Sequence, residues 1–161
     1  MEVHTIDYHT GGEALRIVTK GVPDLAGQTQ LERRADMMSR LDEFRRMLMF
    51  EPRGHADMYG AVLTPPATDD GDVGVLFLHN EGYSTMCGHG IIALVTAGID
   101  HELFPLADEN EIRIDTPAGR VVATAHRAAD GRIESVSFIN VPSFVLEPRI
   151  PVEIDGVEVG C

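Results

Sequence analysis

Met86-Cys87-Gly88-His89-Gly90 sets a thiol and an imidazole among glycines, just ahead of an apolar stretch that runs to Ile99. If that stretch is a helix, Cys87 lies in its first turn. The positive end of the helix dipole and the unsatisfied amides there lower a thiol pKa. Gly88 and Gly90 leave the backbone open to a ligand, and the amides of Gly88, His89 and Gly90 can cradle a carboxylate. A thiolate beside such a cradle can remove a proton from the carbon next to the carboxylate, or it can attack a carbonyl as a hydrolase or transferase nucleophile. A buried, inert cysteine is the plainer alternative, and the glycine-rich opening fits it less well.

Two other segments carry unusual chemistry: Glu51-Pro52-Arg53-Gly54-His55-Ala56-Asp57-Met58-Tyr59-Gly60 and His79-Asn80-Glu81-Gly82-Tyr83. His55, Asp57 and His79 could join Cys87 and His89 around zinc. No pair among them has paired-Cys or HExxH spacing, so no metal is expected. The sequence holds no GxSxG and no Walker or dinucleotide glycine motif, so neither a serine hydrolase nor a nucleotide cofactor is indicated. His4, His101 and His126 read as surface residues.

The elements that must position these groups follow from periodicity. Val3 to Tyr8 and Leu15 to Thr19 read as strands joined through His9-Thr10-Gly11-Gly12-Glu13. Thr29 and Glu32 have capping-box spacing. From there Leu31, Ala35, Met38, Leu41 and Leu48 recur at helical intervals, predicting one amphipathic helix that ends before Pro52. Met37, Met38, Met47 and Met49 on it are expected in core and rim packing. Met58 to Leu63 and Val73 to His79 read as strands, and Glu81 to Thr85 as loop. Gly88 to Ile99 is apolar on nearly every face, which predicts a central buried helix with Gly98 as its C-terminal cap. Strands are expected at Ile112–Asp115, Arg120–His126, Ile133–Asn140, Phe144–Leu146, Val152–Ile154 and Val157–Val159. The result is one α/β (α+β) domain in which a sheet encloses a buried helix.

The composition bounds the function. With 161 residues and 43 % hydrophobic content, the chain can bury a core without a disulfide framework. Cys87 and Cys161 are no such framework. A net charge of −13, with Lys20 the one lysine among 13 basic residues, argues against nucleic acid or an anionic membrane as partner. No apolar run reaches membrane-spanning length. Met-Glu-Val-His lacks the features of a signal peptide, so a cytoplasmic location is expected.

Asp7-Tyr8-His9-Thr10-Gly11-Gly12-Glu13, Met49 through Ala61, His79 through Gly90, and Asp115-Thr116-Pro117-Ala118-Gly119 together resemble the proline racemase family, in family order and over nearly the whole chain. The wording around Tyr59 and His79 to Tyr83 is most similar to the trans-3-hydroxy-L-proline dehydratase branch. The resemblance implies a diaminopimelate epimerase-like domain, a curved mixed sheet around a central helix, with the active site between two such domains. It implies a small-molecule substrate, proline or hydroxyproline, and neither pyridoxal phosphate nor metal. Cys87 matches the family's first catalytic residue, which removes or returns the Cα proton, while Gly88 and His89 meet the carboxylate. His55 and Asp57 fall in a family motif as support for the site wall. Racemases and 2-epimerases carry a second cysteine on the other domain, where dehydratases typically carry threonine. Family chains are about twice this length, so residues 1–161 are expected to be the N-terminal catalytic domain with the C-terminal domain absent. Cys161 is read as a terminal residue with no catalytic part. A non-catalytic half-domain that binds a carboxylate or self-associates as a homodimer is the competing expectation.

Overall fold

Val73 to Leu78 is buried at every position, which requires a packed layer on each side of the strand that contains it. The computed structural model of the chain describes residues 2–147 and 150–160 and supplies both layers. In chain order the elements are β1 His4–Thr10, β2 Glu13–Lys20, α1 Gln30–Arg40, α2 Asp42–Met49, β3 Tyr59–Thr64, β4 Val73–His79, β5 Gly82–Ser84, α3 Gly88–Asp100, β6 Glu111–Thr116, β7 Gly119–Arg127, β8 Ile133–Ile139, β9 Pro151–Ile154 and β10 Val157–Gly160. The main sheet runs β1-β2-β3-β4-β6-β7-β8, with β5 added against the end of β4, and β9 and β10 form a separate hairpin. Pairs β2–β3 and β4–β6 are parallel and the other pairs are antiparallel, so the sheet is mixed.

Alternate side chains of a strand point to opposite faces, and here they feed two cores. Leu15, Ile17, Ala61, Val75 and Phe77 pack with Ile91, Leu94 and Val95 of α3. Val18, Val62, Leu76 and Leu78 pack with Met37, Phe44, Leu48 and Met49 of α1 and α2. Helix α3 touches both β1 and β8, the two ends of the strand order. A sheet whose opposite edges meet one helix must curl around it, which is the α/β enclosure expected above.

Several local expectations need correction. The single helix before Pro52 is two, broken at Leu41, where ψ of 20° leaves the helical range and the Leu41 amide closes α1 on the Met37 carbonyl. The predicted apolar stripe is also offset. Leu31, Ala35 and Met38 face solvent, while Gln30, Met37, Phe44, Arg45, Leu48 and Met49 are buried. Polar side chains can occupy that inner face because carbonyls meet them. Gln30 donates to Pro65 O, and Arg34 donates twice to Tyr83 O. The capping box forms as expected: Thr29 Oγ1 accepts from the Glu32 amide, and the Glu32 carboxylate accepts from the Thr29 amide.

Gly82–Ser84, expected as loop, is a short strand paired with Phe77–His79, because Tyr83 is buried against the second core. Helix α3 continues through Gly98 to Asp100 instead of capping there. Glycine at 98 serves packing, since a Cβ would lie 2.3 Å from the Phe104 ring. Phe144–Leu146 forms no strand and is exposed. Among the described residues, no helix is long and apolar enough to cross a membrane.

Candidate active site

Helix α3 begins at Cys87, whose extended backbone (φ −145°, ψ 110°) makes it the N-cap and points its carbonyl at the Ile91 amide. The first amides of a helix have no intrahelical acceptor, and those of Gly88 and His89 are among them. The structure thus brings Cys87, Gly88 and His89 together in one turn. Cys87 is 7 % exposed. The His89 ring lies against its sulfur, with Nδ1 at 3.4 Å and Nε2 at 3.8 Å. At Gly90 a Cβ would sit 2.7 Å from the Phe77 ring and 3.1 Å from Cys87 Sγ, so the helix start can approach the sheet only without a side chain there.

The thiol pKa runs opposite to the expectation from helix position. Burial is the largest influence and pushes it up, the Gly90 amide on the sulfur pulls it down, and the Glu13 carboxylate pushes it up again. Desolvation of the charged form outweighs the helix terminus in this chain on its own.

Four segments distant in sequence hold this turn. Thr10, at the end of β1, donates its hydroxyl to His89 O at 2.9 Å. At the other end of α3, Tyr8 donates to Asp100 at 3.0 Å, so β1 clamps the helix at both termini. Gly11 and Gly12 have φ of 61° and 102°, conformations that a two-residue hairpin turn demands and that glycine adopts freely. That turn returns the chain to Glu13.

Tyr59, first residue of β3, meets the His89 ring edge-on at a centroid distance of 4.8 Å. Its cross-strand partner His79 stacks on it at 5.3 Å. Burial, together with the charges of Arg45 and Arg34, holds the His79 imidazole below its usual range against the pull of Glu81. The Thr116–Gly119 turn reaches the same region, where the Ala118 amide donates to Thr85 O at 3.1 Å.

Beside Tyr59 opens a cleft of about 680 Å³, lined in part by Glu51, His55, Asp57, His79 and Glu81. Its wall is fixed by Asn80, which accepts from the Met58 amide and donates to Met49 O and His55 O. Gly54 packs so tightly on the end of α2 that a Cβ would lie 2.2 Å from Met49 O. Cys87, Gly88 and His89 do not line this cleft, which meets their turn through Tyr59 and its contact with His89. Among the described residues, no three His, Cys, Asp or Glu side chains are grouped to hold a metal ion. Cys161 lies outside the described residues. Sequence reasoning missed Thr10, Glu13 and Tyr59 as neighbours of the turn. The available signal was strand alternation, which sends Tyr59 to the same face as Ala61, toward α3.

Comparison with known proteins gives this arrangement a family. The pattern of the Proline racemase family matches residues 5–160. The chain belongs to the proline racemase family. A trans-3-hydroxy-L-proline dehydratase of Bacillus cereus is 56 % identical over 155 residues, covering 96 % of this chain and 46 % of that protein. A crystal structure of a probable proline racemase from Agrobacterium radiobacter, with bound carbonate, superposes with a TM-score of 0.87 at 28 % identity, covering 99 % of this chain and 48 % of that one. A hydroxyproline epimerase from Agrobacterium vitis, with bound trans-4-OH-L-proline, gives a TM-score of 0.85 at 27 % identity over 98 % of this chain and 47 % of that one. The chain spans about half the length of the curated relatives it matches. In this proline racemase family member, all four sequence motifs serve the start of α3 or the cleft beside it.

Proposed function

We propose that residues 1–161 are the N-terminal catalytic domain of a two-domain, cofactor-independent proline racemase-family enzyme, with Cys87 as the acid/base at Cα of proline or hydroxyproline. The observation that carries this reading is the thiol of Cys87 at the opening of α3, beside the free amides of Gly88 and His89. The substrate carboxylate accepts from those two amides, which brings Cα to the sulfur. The thiolate takes the Cα proton, an S–H bond forms, and the electron pair left on Cα spreads into the carboxylate. Closure by the second domain excludes water and strengthens each of these electrostatic contributions.

The branch we favour is trans-3-hydroxy-L-proline dehydratase, supported by the name of the 56 % identical relative. In that branch expulsion of the 3-hydroxyl consumes the carbanion, so one thiolate suffices. Proline racemase and 4-hydroxyproline 2-epimerase are the alternatives, each needing a second cysteine on the opposite face. His55 and Asp57 support the wall of the adjoining cleft. In the protein spanning both halves, Cys87→Ser is expected to abolish exchange of the Cα proton of proline or trans-3-hydroxy-L-proline in heavy water, followed by NMR. Full exchange in that variant overturns the role.

A second reading is favoured by the exposed apolar run Phe144-Val145-Leu146, with side chains 82, 78 and 86 % accessible. A non-catalytic half that self-associates as a homodimer would cover that run. On this reading residues 1–161 by themselves form a stable dimer in solution and show no turnover, and turnover by the purified 161-residue chain contradicts it.

A further inference from the structure

The His89 ring does not rest on the Cys87 sulfur by chance of rotamer. Its backbone is pinned by Thr10, its ring packs perpendicular to that of Tyr59, and Tyr59 is stacked with His79. A ring held between Tyr59 and the sulfur keeps a nitrogen within hydrogen-bonding reach of the thiol, at 3.4 Å. From this geometry we infer that Tyr59 is a positioning residue that holds His89 as the proton partner of Cys87. The inference rests on the reading of Cys87 as the acid/base and adds to it the route by which a buried thiol becomes a thiolate. The S–H bond breaks, the proton passes to His89 Nδ1, and the electron pair stays on sulfur. The imidazolium so formed then stabilises the thiolate beside it. Substrate returns the sulfur to the thiol form when its Cα proton is taken.

The charged and titratable neighbours are few. Glu13 at the start of β2 opposes thiolate formation. His79 on β4 lies behind Tyr59 and feels Arg45, Arg34 and Glu81. Phe138 of β8 faces Gly88 and brings no charge.

The test is the pH dependence of Cys87 alkylation by iodoacetamide in the whole protein, read on the Cys87 peptide by mass spectrometry. His89→Gln is expected to lower the rate at neutral pH about tenfold and move the profile to higher pH by about one unit, as loss of a neighbouring positive charge does. Tyr59→Leu is expected to move it the same way, and Tyr59→Phe, which keeps the ring, to leave it in place. An unchanged profile in Tyr59→Leu or His89→Gln overturns the inference. If Tyr59→Leu does not fold, the wild-type protein decides through the His89 ring resonances. They are expected to show an inflection at the pH midpoint of alkylation, and a ring that titrates with no such inflection overturns the pairing. Alkylation requires no turnover, so a shifted profile in a protein that fails the Cα exchange test would leave the pair standing while the proposed reaction falls.

Discussion

Gly90 shows how closely chemistry and packing are bound at single positions. The absence of a side chain there lets the first turn of α3 sit against Phe77 with the Cys87 sulfur alongside. Gly90→Ala forces either the ring or the sulfur to move. It is expected to cost about 1–3 kcal/mol of stability, as overpacking does, and to reduce Cα exchange. Urea unfolding alongside the exchange assay reads both effects, and a fully stable, fully active variant would show that the turn has room to spare. The same residue carries the one amide that draws the thiol pKa down. Its effect is smaller than that of burial, so helix position alone misjudges the direction.

Among the elements, α1 separates what sequence pattern can tell from what it cannot. Helical period and the capping box were legible, because both are set by local spacing. Which face turns inward was not, because the buried Gln30 and the half-buried Arg34 turn inward only through carbonyls contributed by Pro65 and Tyr83, far along the chain. Met37 and Met38 test the observed face. Met37 is fully buried and Met38 is 46 % exposed, so Met37→Ala is expected to cost about 2–5 kcal/mol and Met38→Ala within about 0.5 kcal/mol. Thermal unfolding of the two variants distinguishes this face from the one the apolar spacing suggests, for which the costs would be reversed. The buried helix α3 was legible for the opposite reason: apolar residues all round leave no face to choose. Cys87, Gly88 and His89 were legible as a cluster for a similar reason, being neighbours in sequence. Tyr59, Thr10 and Glu13 were not, because their proximity depends on strand order and on the curl of the sheet.

Across the whole molecule, the net charge of −13 coexists with carboxylates held in the charged form by specific partners. Asp36 is drawn down to about 2, first by Arg40 and then by the Ala26 amide. At Asp115, burial pushes the carboxyl up, but Arg120, the Ala67 amide and Thr68 outweigh it and the pKa falls. A depressed folded pKa stabilises the protein above the unfolded value of about 3.9 and ceases to do so as pH falls through the folded value. Asp115→Asn is therefore expected to lower stability at pH 6 by about 1–3 kcal/mol, as leaving the donors on Ala67, Thr68 and the half-buried Arg120 without their carboxylate does. The difference from wild type should shrink as the pH falls below that unfolded value. Urea midpoints across that range test it, and a gap that stays constant with pH would remove Asp115 as the source. Asp115 also opens the Thr116–Gly119 turn that donates to Thr85, which connects the acid limb of stability to the segment leading into Cys87. The contacts on that turn come from residues near 10, 59 and 118 as well as from its own helix, and the bond from Thr10 alone spans 79 positions. Contacts of such separation form only after the loops between them have closed. The surroundings of the thiol are therefore completed late in folding, and a nascent chain carries the cysteine long before it carries the contacts that restrain it.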